Sequence, residues 1–160
     1  VLNMLLLVDE ESPEMVAVAP VLVALAHSSA RFSLRILRST DDLSALDRLV
    51  DELDLVGSSG EIALPLLLVF DEEWNYQGQW GPHPQAAEPF WESWFDRFPE
   101  YEDLATATTA EGQASYAALL ATLTQEMRVW YNSGLSAACI REVQGLLAGL
   151  IDEESAEDEE

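Results

Sequence analysis

Lysine is absent from this chain of 160 residues, and its seven arginines face 30 acids, for a net charge of −23. A surface so negative repels nucleic acid and anionic membranes through its long-range field. It favours basic or polar protein partners, or surroundings salty enough to screen the repulsion. Cysteine is nearly absent: Cys139 stands alone, which excludes an intrachain disulfide and a cysteine-based metal site. Histidine occurs twice, as His27 and His83, and neither lies in a hydrolase-type motif. The chain has no glycine-rich phosphate loop, no basic patch for nucleic acid, and no run of the roughly 20 apolar residues that a spanning helix needs. No metal, no cofactor and no membrane insertion are expected. The oligomeric state stays open.

What is there is organised around Ala63 to Pro84. Leu64-Pro65 leads into an apolar strand, Leu66–Phe70. An acidic turn, Asp71–Asn75, follows, then a second strand, Tyr76–Trp80, that ends at Gly81-Pro82. Proline at the mouth of a buried strand removes a ladder donor, so it belongs at a first strand position, an edge or a bend. Upstream, Leu2–Val8 is a continuous apolar run that suits a strand buried on both faces. It has no basic n-region and no cleavage site, so it reads as a strand rather than a signal peptide, and a cytoplasmic protein is expected. The chain does not begin with Met, which leaves an upstream targeting signal open.

Ser12 before Pro13 reads as an N-cap with proline at the first helical position, and Glu14 favours the first turn electrostatically. The helix spans about 13–28, apolar nearly all round and so largely buried, with Pro20 inside it. Arg31–Arg38 alternates as a half-buried strand with Phe32, Leu34 and Ile36 on one face. A helix capped by Thr40 or Asp41 follows, with Leu43, Leu46, Leu49, Val50 and Leu53 on one stripe. Gln85–Phe98 is helix-like and crowded with Phe90, Trp91, Trp94, Phe95 and Phe98, which read as core. Two late helices, about 109–151, turn at Asn132-Ser133-Gly134 and are expected to form an antiparallel hairpin, with Gly145 and Gly149 allowing close approach. The first carries Leu123, Met127, Trp130 and Tyr131 at helical spacing. The tail, 152–160, holds seven acids and is expected to be disordered. One domain, 1–151, precedes it, of α/β class.

This order of elements resembles the thioredoxin superfamily. The active-site loop of that family joins the first strand to a long helix, and here that loop is Asp9–Met15. Pro20 falls where the family's kinking proline lies, and Pro65 where its cis-proline lies. Trp80-Gly81-Pro82-His83-Pro84 resembles the Trp-Gly-Pro-Arg-Pro motif of a bacterial thioredoxin-like subgroup, with His83 in place of arginine. That subgroup also has a late aromatic pair like Trp130-Tyr131. The resemblance covers about residues 2–150 and implies a mixed sheet of about four strands flanked by helices.

The departures from the family govern the functional expectation. Its Cys-x-x-Cys falls on Ser12, Pro13, Glu14 and Met15, so both thiols are missing, and the buried carboxylate that assists proton transfer is replaced by Leu6. Disulfide exchange needs a low-pKa thiolate and a resolving thiol. The resemblance therefore implies a retired redox fold that keeps its peptide groove, formed by Leu64, Pro65, Ser12, Pro13 and Trp80. The expected partner is a basic or polar peptide, bound by strand addition, or a larger assembly. The alternative is an enzyme that uses Cys139 or Ser12. Cys139 shares a helical face with Val143 and Leu146, where a buried structural cysteine is the simpler reading. Asp9, Glu10, Glu11 and Glu14 match no calcium loop and read as a solvated acidic face. His83 reads as a loop residue. The lysine-free, acid-rich surface also resembles that of proteins from extreme halophiles.

Overall fold

In the computed structural model, residues 1–41 and 62–157 are described. Four strands form one mixed sheet: β1 (Leu2–Val8), β2 (Phe32–Arg38), β3 (Leu66–Phe70) and β4 (Tyr76–Trp80), in the order β2-β1-β3-β4. β1 pairs parallel with β2 and antiparallel with β3, and β3 pairs antiparallel with β4. β1 thus has a partner on each side, and apart from the half-buried Asn3 its residues are buried. Because successive side chains of a strand point to opposite faces, the apolar runs split into two layers. Leu2, Met4, Leu6, Val8, Leu67 and Val69 join the larger core beneath the helices. Leu5, Leu7, Leu66, Leu68 and Phe70 form a smaller cluster with Leu37, Ile62, Leu64 and Tyr76. Leu37 therefore lies with the second layer, while Ile36, expected on the half-buried face of β2, is 49% exposed.

The helices are α1 (Pro13–His27), α2 (Glu88–Arg97) after a short 3-10 turn at Gln85–Ala87, α3 (Tyr101–Ala105), α4 (Ala110–Trp130) and α5 (Ser136–Glu157). The expected helix beyond Thr40 and Asp41 lies outside the described residues. α1 begins as expected, with Ser12 at the N-cap and Pro13 just inside, but the Ser12 hydroxyl makes no capping hydrogen bond. α1 is also less buried than its composition implies. Only Glu14, Val18, Leu22 and Ala26, one i, i+4 stripe, are fully covered. Trp94 is the aromatic of α2 that is wholly buried, whereas Phe90 and Phe95 stay more than one-third exposed.

The late helices are not packed closely on one another, as the expected hairpin required. Tyr131–Leu135 joins α4 to α5 across a kink, where Gly134, at φ 148°, leaves helical backbone. α4 and α5 each pack on α1. A Cβ placed on Gly145 or Gly149 would meet nothing within 4 Å, so these glycines mediate no close helix approach. α5 also runs on to Glu157, six residues into the segment expected to be disordered. Glutamate and alanine are good helix formers, and extending an existing helix is far easier than starting one. Within Ala110–Glu153 one stretch is long and apolar enough, by composition, to cross a membrane. Here its Leu135, Cys139, Val143 and Leu147 are buried in the larger core.

Candidate functional site

The C-terminal end of β1, the head of α1 and the N-terminal end of β3 meet at one end of the sheet, because Leu7 is in register with Leu66. The peptide bonds Leu64-Pro65 and Gly81-Pro82 are both cis. The first was expected from the resemblance and the second was not. Gly81 sits at φ 131°, and a Cβ there would lie 2.4 Å from the Pro65 carbonyl oxygen. The chain after β4 is thus held against the residue before β3, which brings His83 and Pro84 over the head of α1.

There Glu14, only 7% exposed, accepts two hydrogen bonds from distant parts of the chain. His83 Nδ1 lies 2.8 Å from Glu14 Oε1, and the Tyr131 hydroxyl donates to Oε2 at 3.1 Å. The other ring nitrogen of His83, Nε2, is 2.8 Å from Oε1 of Glu88 in the first turn of α2. A neutral imidazole can donate from one nitrogen only, so this arrangement suits the imidazolium. Burial opposes that charge, but the hydrogen bonds and charges of Glu14 and Glu88 outweigh it and raise the pKa of His83 to about 9. Trp91 stacks beside the ring, with centroids 6.4 Å apart. Burial foremost, then the charges of Glu14 and Cys139, push the Tyr131 hydroxyl well above the usual phenol range.

A second carboxylate, Glu142 of α5, ties the same region from below. It accepts from the Trp80 indole at 3.1 Å and from the backbone N–H of Gln85 at 3.1 Å. Cys139, one turn earlier on α5, is fully buried as expected. Burial, with the charges of Glu142 and Glu14 added, pushes its thiol up to about 12. A thiol so placed is neither accessible nor deprotonated near neutral pH.

The residues expected to form a peptide groove are only partly brought together. Ser12, Pro13 and Leu64 are half-buried at this end of the sheet, while the Pro65 side chain is wholly buried and offers no surface. Trp80 is half-buried against the larger core, and its polar end is taken by Glu142. Met15 is half-buried beside that same core. An apolar groove of about 300 Å³ opens on the far side of Pro13, between α1 and the end of α4. Of the expected groove residues it contains only Pro13.

The sequence reading missed the Glu14–His83–Tyr131 cluster, having placed His83 in a plain loop and Tyr131 on an apolar helical stripe. One signal could have found it: a histidine stands where the resembling motif has arginine, in a chain with a glutamate at the head of α1. Among the described residues no group of three or more histidines, cysteines and acids is arranged to hold a metal ion.

Sheet, flanking helices and buried polar cluster define an α/β protein with a four-stranded mixed sheet. No family model and no curated protein matches the chain. Among solved structures, it is similar to a protein of unknown function from Pseudomonas aeruginosa, with TM-score 0.55 and 20% identity over 93% of this chain. It is also similar to an HIV epitope scaffold, with TM-score 0.54 and 19% identity over 92% of this chain. The match covers 66% of the length of each of those proteins. At this level of identity the likeness concerns the fold.

Proposed function

We propose that this chain is a thioredoxin-like protein that acts by protein–protein contact and has no thiol chemistry. One observation carries the reading: the positions that correspond to the paired cysteines hold Ser12 and Met15, and the lone thiol, on Cys139, is fully buried with its pKa pushed up to about 12. The strand order and the parallel pairing of β1 with β2 support the fold assignment. The alternative, an enzyme built on Ser12, finds no free imidazole in His83, since both of its nitrogens are committed to carboxylates at 2.8 Å. The partner is a basic or polar segment, attracted by the exposed acids Glu10 and Glu11 in the loop that enters α1 and docking at the half-buried Leu64.

Insulin-disulfide reduction and thiol titration test the first half of this reading. No reductase activity is expected, and Cys139 should react with iodoacetamide only after unfolding. Fast alkylation of the native protein, with a reductase activity that Cys139→Ser abolishes, overturns it. A panel of extended peptides of graded charge tests the second half. Basic peptides should bind in a salt-dependent manner and lose about tenfold in affinity on Leu64→Arg, by analogy with interface charge mismatches. Equal binding to both proteins removes the groove from the reading.

A further inference from the structure

We propose that the face formed by α1 and the end of α4 is the interface of a two-fold symmetric dimer of this chain. Every residue of α1 from Met15 to Ala26 is apolar, yet the core takes only Val18, Leu22 and Ala26 of them in full. Val16 is 62% exposed, and Pro20 and Ala24 are also exposed. Beside them lies the groove of about 300 Å³, apolar on the α1 side, where Pro13, Val16, Ala17 and Pro20 line it, and mixed on the other, where Met127 and Tyr131 alternate with the polar Thr124, Arg128, Asn132 and Ser136. A helix face with no polar residue gains nothing from water, and contiguous exposed apolar surface marks an interaction site.

Charge selects the occupant. The chain carries 30 acids, but none lies between Met15 and Thr40, and none between Met127 and Arg141. Apart from Pro13 and Thr124, those two segments supply the lining of the groove. Two copies at −23 each repel one another wherever acids meet acids, so the acid-free face is where they can approach. Its flanks are complementary as well. Arg128 borders the groove from α4, and Glu11 is exposed in the loop that enters α1. Neither side chain makes an ion pair among the described residues. In an isologous pair each contact occurs twice, so Arg128 of one copy faces Glu11 of the other at both ends of the apolar centre.

Sedimentation velocity on the full chain, from about 1 to 100 µM in dilute buffer and in molar KCl, tests the proposal. A dimer is expected, tighter in molar KCl because salt screens the net repulsion. Val16→Glu should weaken it at least tenfold while leaving far-UV circular dichroism unchanged. Arg128→Glu and Glu11→Arg should each weaken it several-fold, and the two together in one chain should restore it. A wild-type chain that stays monomeric at every concentration overturns the proposal. So does a dimer indifferent to Val16→Glu, a double variant no better than its parents, or a dimer that Ile36→Glu breaks instead. Should Val16→Glu fold poorly, the charge-swap pair decides alone, since both of its side chains are exposed. Peptide binding at Leu64 is read separately, so either idea can fail without the other.

Discussion

The first turn of α1 and the turns that follow obey opposite rules. In the first turn a carboxylate, Glu14, is buried and satisfied by His83 and Tyr131, residues 69 and 117 positions away. In the next three turns the side chains are apolar, and three of them, Val16, Pro20 and Ala24, are left in solvent. A buried polar group must find partners or cost several kcal/mol, so it dictates the placement of other segments. An exposed apolar group dictates nothing within its own molecule and remains available to a second one. The contrast separates what holds this chain together from what it offers to partners.

Removing Glu14 should produce the largest effect. Glu14→Leu leaves a buried imidazolium beside an orphaned Tyr131 hydroxyl, and is expected to cost about 3 kcal/mol by chemical denaturation. A loss below about 1 kcal/mol would place the cluster in solvent and erase the contrast. Gly81→Ala comes next, at about 2–3 kcal/mol, because the new Cβ meets the Pro65 carbonyl at 2.4 Å on backbone at φ 131°.

The pH dependence of stability is a gentler probe. The pKa of His83 is near 6.5 in the unfolded chain and about 9 in the fold. Its contribution is therefore fully present below about pH 6.5 and is lost as pH rises through 9. Discounted for partial solvent screening, the expected loss between pH 6.5 and 10 is about 1–2 kcal/mol. His83→Arg sharpens the point: arginine does not titrate there, so this part of the pH profile should flatten while the ion pairs remain. An unchanged profile would assign the titration to another group. The smallest effect is expected on the other side of the comparison. Val16→Glu should change the stability of the monomer by no more than about 0.5 kcal/mol. A loss of 2 kcal/mol would mean that Val16 belongs to the core.

Much of the scaffold was legible from pattern alone. The runs Leu2–Val8 and Leu66–Phe70 are strands because continuous apolar segments of that length suit a sheet covered on both faces, and both are buried as expected. Asp71–Asn75 is a turn because Asp71 can hold its own backbone, and its side chain accepts from the N–H groups of Glu73 and Asn75 at 2.9 and 2.8 Å. The thiol-free positions 12 and 15 and the burial of Cys139 were equally readable. The reading failed where composition stood in for geometry. An all-apolar α1 looked like a buried helix, and His83 looked like a plain loop residue.

Local periodicity and turn chemistry are properties of neighbouring residues, so the sequence by itself determined the four strands, the main described helices, their order and the lack of a second thiol. Which distant groups would meet depends on how those elements pack. Only the tertiary structure decided that Glu14, His83, Tyr131 and Glu88 form one cluster, that Pro65 is buried, and that α1 turns an apolar face outward. The physical reason is one of range: a hydrogen bond acts over about 3 Å, and its partners here lie up to 117 residues apart along the chain.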